Sequence, residues 1–141
     1  MMLYINGQDI ARLVVGLLVI SPDGAEWSYG PEAIACGPEG YLAAIDAALM
    51  AQKTSLNELL GIILVSGPGS PTALRASHAA VNALAFTAGI TIRSFEKPPE
   101  IADAEILARL AELVPEPFAF PKYGSAPTIT TSTRDALKRV I

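Results

Sequence analysis

Apolar and polar positions fall into blocks along this chain, and the period changes from block to block. "LYI", Leu3–Ile5, is a short apolar strand, and Asn6-Gly7 after it is a strong turn signal. "RLVVGLLVI", Arg12–Ile20, is too continuous for a strand with one wet face, so it reads as a strand buried on both. "SPDG", Ser21–Gly24, is a turn, and "AEWSY", Ala25–Tyr29, is a third strand at an edge. "GPEAIACGP", from Gly30, reads as a loop. Short turns between these three strands imply an antiparallel meander.

The period then becomes helical. Pro38 fits the first turn of a helix to about Gln52, with Glu39 near its positive end. Tyr41, Leu42, Ile45, Ala48 and Leu49 form one apolar stripe, and Ala43, Ala47, Met50 and Ala51 cover the other side. A helix apolar all round is expected to be buried on more than one side. Ser55 and Glu58 have capping-box spacing for a short helical turn. "GIILVS", Gly61–Ser66, is a buried strand. Ser70 caps the next helix, Pro71 takes its first position, and Gly89 ends it after Ala88. "ITIRSF", Ile90–Phe95, is a fifth strand, and "IADAEILARLAELV", Ile101–Val114, reads as an amphipathic helix.

The order is β-β-β-α-β-α-β, then a helix and a tail. Helix crossovers make the first, fourth and fifth strands parallel. This mixed five-stranded α/β sheet resembles the ribonuclease-H-like, or actin-like ATPase, lobe. Two regions are expected: a lobe over 1–114 and a proline-rich C-terminal tail over 115–141. "TRDALKRVI" near the end has the pattern of a last helical turn.

Composition narrows the function classes. The 141 residues suffice for one domain with a real core, and 51% hydrophobic against 17% charged leans apolar. That balance suits either surface hidden in a partner or an alanine-rich core. Net charge is −4 with ten Lys and Arg, which argues against direct strong nucleic-acid binding. The longest apolar run, Leu13–Ile20, has eight residues and is no membrane span. The start "MMLYINGQD" lacks a signal-peptide pattern, so a cytoplasmic location is expected. A single cysteine, Cys36, and a single histidine, His78, make an N/S-ligated metal site a poor fit, and no metal is expected.

The stretch "GPGSPTALRASHAAVNALA" resembles the signature of the bacterial TsaB (YeaZ) family, roughly GPGSFTGLRIG followed by an alanine-rich helix. Gly67, Pro68, Gly69, Ser70, Thr72, Leu74 and Arg75 match it, and the preceding "YLAAIDAALMAQKTSLNELLGIILVS" has the family's element order. "PKYGSAP", Pro121–Pro127, is similar to the family's C-terminal ending. The good match spans about residues 38–95. Pro71 and Ala73 stand where the family has Phe and Gly, and Ala76-Ser77 replaces Ile-Gly. The first strand ends in Ile5-Asn6-Gly7-Gln8 rather than an Asp-Thr-Ser-like turn, and little sequence remains for a second actin-like lobe. The resemblance implies a shortened or divergent non-catalytic scaffold. It would pair with TsaD, with TsaE acting indirectly and a TsaC-type enzyme completing the pathway, for threonylcarbamoyl modification of adenosine in ANN-decoding tRNAs.

The residues themselves weigh the same way. A glycine turn before a helix attracts anions, so Gly67, Gly69, Ser70 and Thr72 form a possible anion-binding turn. However, the P-loop Lys is absent, and Pro68 and Pro71 remove two N–H donors. Asp9 is displaced from the first strand's turn, where an ATPase needs an acid, so neither ATP nor magnesium is expected. No nucleophile elbow is present, and Ser66, Ser70 or Cys36 would have only His78 as a histidine base, so no catalytic residue is assigned. Ala73, Ala76, Ala80 and Ala83 form a small-residue ridge beside Arg75, His78 and Asn82. With Tyr41, Ala44 and Ala48 they are the expected interface, through which helices 38–52 and 70–88 would form a homodimer and receive TsaD. The same alanines also suit packing between these two helices within the chain. Leu74→Asp should unfold the core, and Ala76→Arg should block association. The alternatives are a small ATP- or phosphate-binding hydrolase using the Gly67–Ser70 turn, or a degenerate relative with another partner.

Overall fold

The computed structural model describes residues 1–123. Five strands form one sheet in the order β3-β2-β1-β4-β5: β1 Met2–Asn6, β2 Arg12–Ser21, β3 Gly24–Ala35, β4 Gly61–Gly67 and β5 Thr91–Glu96. β1, β2 and β3 pair antiparallel, whereas β1–β4 and β4–β5 pair parallel. The meander and the helix crossovers inferred from the sequence are both present. Helix α1, Tyr41–Ala51, follows a 3-10 turn at Pro38–Gly40, and helix α2 spans Pro71–Ala88.

Both faces of the sheet are covered. On one, Leu3, Ile5, Leu13, Val15, Ile62 and Leu64 pack against Tyr41, Ile45 and Leu49 of α1 and Ala80, Val81 and Ala85 of α2. On the other, Tyr4, Val14, Leu18, Ile63 and Val65 pack against Ile106 and its neighbours. This explains why β1, β4 and the middle of β2 are continuous apolar runs rather than alternating ones.

The α2 boundaries follow local chemistry. The Ser70 hydroxyl accepts the Ala73 N–H at 3.2 Å, Pro71 opens the first turn, and Gly89 closes the helix at φ 69°. At the 3-10 turn Leu56–Glu58, the Ser55 N–H donates to Glu58 Oε1 at 2.8 Å.

Two sequence expectations are corrected. β3 does not stop at Tyr29; it continues through Gly30-Pro31 to Ala35. The pairing shifts register between Val15 and Leu17, opposite that dipeptide, and an edge strand tolerates a proline at such a bulge. The expected amphipathic α-helix over 101–114 is instead a 3-10 helix, Asp103–Glu112. Ile101 before it, Leu107 and Leu110 within it and Leu113 after it recur at multiples of three positions and are half-buried around Ile106, its one fully buried residue. A 3-10 helix keeps residues three apart on one side, so Leu107 and Leu110 stay beside the sheet next to Ile106.

After Val114 the chain lies along the lobe. Ile92 and Glu116 exchange two backbone hydrogen bonds of 2.7 and 2.8 Å. Ala119 is buried, and the side-chain amide of Asn82 bonds both its carbonyl and its N–H at 3.0 and 2.9 Å. The Lys122 N–H then reaches the Ser66 carbonyl at 2.6 Å. The tail expected over 115–141 thus begins as a strap over 115–123. The expected last helical turn, and "PKYGSAP" beyond Tyr123, lie outside the described residues.

Candidate functional site

The carboxyl ends of β1 and β4 meet where the connections leave in opposite directions. From β1 the chain turns back antiparallel to β2, and from β4 it crosses over α2 to β5. Ligands of open α/β sheets favour such switch points. A cleft of about 430 Å³ opens here, lined by Asn6, Gln8, Asp9, Arg12, Val14, Pro68, Gly69, Lys97, Pro99 and Asp103.

Its polar groups are ordered by a small network. Asn6 ends β1, is buried, and donates through Nδ2 to Asp103 Oδ1 at 2.7 Å. The Tyr4 hydroxyl donates to the same oxygen. Burial, and then the charge of Asp103, hold the Tyr4 hydroxyl far above its usual titration range, so it stays a donor. The Gln8 side chain donates to the Pro68 carbonyl at 2.7 Å and the Lys97 carbonyl at 2.9 Å. Lys97 is 5% exposed, and its ammonium donates to the Ile101 carbonyl. Asp9 and Arg12 pair at 3.5 Å across the partly exposed rim. Among the described residues, no three His, Cys, Asp or Glu side chains gather as they would around a metal ion.

The Gly67–Ser70 turn is built into this scaffold. Gly67 has φ 147°, and a Cβ there would overlap the Lys122 carbonyl of the strap. A Cβ at Gly69 would lie 2.6 Å from the Gln8 carbonyl oxygen. Close approach of backbone to backbone therefore accounts for both glycines. The Ser70 N–H is spent on the Gln8 carbonyl at 2.9 Å, and the Ser70 hydroxyl is engaged by Ala73. Thr72 is exposed on the first turn of α2. Of the donors an anion would need, the prolines have none and Ser70 has given its own away.

The nine residues expected at an interface divide by burial. Tyr41, Ala48, Ala73, His78 and Ala80 are covered by the chain itself, Ala44 and Ala76 are half-buried, and Arg75 and Ala83 are exposed. The small residues let α2 sit closely on the sheet and α1, which is the packing the sequence also allowed. His78 is not on the surface. Its Nδ1 bonds the Leu74 carbonyl at 2.7 Å, Nε2 has no partner among the described residues, and burial lowers its pKa. The Tyr41 hydroxyl is likewise buried without a partner among the described residues, and its pKa is raised by burial.

α1 is expected at the interface from its sequence, but Leu42 and Met50 are not among the residues expected there. Leu42 is 53% and Met50 69% exposed. They border a groove of about 310 Å³ whose floor includes Ile45, Leu49, Leu56 and Leu84. α1 is apolar all round, and one sheet can cover only one of its sides.

A mixed sheet in this order, with both α-helices on one face and a cleft at the β1 end, has the ribonuclease-H-like fold. Among solved structures the fold recurs in YeaZ from Pseudomonas aeruginosa, at TM-score 0.54 and 22% identity over 67% of this chain and 43% of that one. A second protein, described as similar to peptidase YEAZ from Pseudomonas aeruginosa, aligns at TM-score 0.52 and 19% identity over 67% and 42%. RuvC from Thermus thermophilus aligns at TM-score 0.54 and 15% identity, over 82% of this chain and 99% of that one. The chain thus spans less than half the length of the YeaZ-like structures it matches. No family model and no curated protein matches it.

Proposed function

We propose that this chain is a non-catalytic partner protein of the TsaB (YeaZ) type. It would pair with a TsaD-like protein, with TsaE acting indirectly, in the threonylcarbamoyl modification of adenosine in ANN-decoding tRNAs. In the partner's absence the same face would join two copies of the chain. The observation that carries the reading is the uncovered apolar side of α1, with Leu42 and Met50 over half exposed beside the groove against α2. The YeaZ-like fold and the resemblance through Gly67–Arg75 support a TsaD-like protein as that partner.

The reading assigns no catalytic group, ATP or magnesium to the chain. It is supported by Asn6, a neutral amide at the end of β1, and by the engaged Gly67–Ser70 turn. No helix among the described residues is long and apolar enough to cross a membrane. A cytoplasmic location accompanies the proposal, since tRNA modification takes place there.

Size-exclusion chromatography with light scattering tests it, on the chain alone and mixed with TsaD from the same source. A dimer that converts into a one-to-one complex is the expected outcome. A chain that stays apart from TsaD overturns the pathway assignment.

A further inference from the structure

The cleft at the β1 end holds two opposite charges that do not neutralise each other. Lys97 is 95% buried by its 5% exposure, yet among the described residues it has no carboxylate within ion-pair distance. Its ammonium carries three donors, and the Ile101 carbonyl takes one. Asp103 is half-buried and receives both of its side-chain hydrogen bonds, from Tyr4 and Asn6, on Oδ1. Oδ2 has no donor among the described residues. The other two charges of the cleft, Asp9 and Arg12, already pair with each other. A buried ammonium with open donors costs stability unless something accepts from them.

We infer that this cleft binds a small zwitterion of the amino-acid class, its carboxylate on Lys97 and its ammonium on Asp103. A simple anion such as phosphate would satisfy Lys97 but face the Asp103 carboxylate. A simple cation would meet the reverse problem. A molecule carrying both charges satisfies both groups, and each contact is a charge-assisted hydrogen bond. The cleft volume of about 430 Å³ admits a ligand of that size. Val14, Pro68 and Pro99 supply apolar wall for a short side chain. The network has already fixed the partners: Tyr4 and Asn6 orient the carboxylate, and the Ile101 carbonyl anchors the ammonium. The inference stands apart from the pairing with TsaD, because the cleft and the α1 face lie on different elements.

The test is an amide-resolved NMR titration of the full chain with individual standard amino acids at millimolar concentration. Acetate, methylammonium and inorganic phosphate serve as separate probes. The expected result is that at least one amino acid shifts the Gln8 and Gly69 amides, with acetate and methylammonium each about tenfold weaker or more. Lys97→Met should abolish the shifts, and Lys97→Arg should restore part of them. Asp103→Asn should weaken the amino acid while sparing acetate. Phosphate binding as tightly as any amino acid overturns the inference, as does silence at Gln8 and Gly69 throughout the series. If Lys97→Met fails to fold, the wild-type comparison of amino acid with acetate and phosphate decides alone.

Discussion

Asn6 is the residue on which the chemistry of the β1 end turns. Its amide donates to Asp103, and an acid there would instead place two carboxylates side by side. Asn6→Asp should therefore destabilise the fold by roughly 2 kcal/mol at neutral pH. Because the pair would titrate with a raised pKa, the loss should shrink on acidification, when one proton is shared. Urea unfolding of the variant at pH 7 and pH 4.5 checks this against the wild type. His78 sets the opposite trend. Its folded pKa lies below the unfolded value because burial disfavours the charged ring. Its contribution is complete above the unfolded pKa, near 6.5, and is lost as pH falls through that value toward the folded one. Unfolding free energies between pH 7.5 and 5 should fall for the wild type and fall less for His78→Gln.

Elements show where local pattern suffices and where it does not. α2 was legible almost to the residue, because Ser70, Pro71 and Gly89 act on their own neighbours. The 101–114 segment had a clear apolar rhythm, but its period of three decides for a 3-10 row only once a sheet lies beneath it. Gly30-Pro31 reads locally as a turn that would end β3 at Tyr29, and only the partner strand β2 reveals a bulge. The strap shows the same dependence on distant groups. Asn82→Ala removes both side-chain bonds to Ala119, at a cost of about 1–3 kcal/mol. Amide hydrogen exchange should speed up at Ala119 and Lys122 and stay slow inside α2.

At the scale of the molecule, the question is what the uncovered helix side meets. Ala76 is half-buried against the helix-side core, so Ala76→Arg would disturb the fold along with any association. Leu42→Asp with Met50→Asp is the cleaner variant, since both side chains face outward. It should keep the wild-type melting temperature within a few degrees and weaken pairing, with itself or with TsaD, by at least about tenfold. Sedimentation equilibrium and thermal melts on the same sample read both quantities. Leu74, fully buried, gives the converse: Leu74→Asp should abolish cooperative melting.

The sequence alone determined the order of the elements, the parallel and antiparallel pairings and the ends of α2. Those follow from short-range period, capping and crossover handedness, which neighbouring residues carry with them. It also showed that the Gly67–Ser70 turn has no P-loop lysine after it and that Pro68 and Pro71 remove two N–H donors. Only the tertiary structure decided what faces what. It buried Ala73 and Ala80 of the alanine ridge while leaving Ala83 exposed, left Leu42 and Met50 bare, bound the glycine turn to Gln8, and brought Lys97 and Asp103 into one cleft with Asn6. Each of these joins residues tens of positions apart, and their meeting is set by the sheet order rather than by any local pattern.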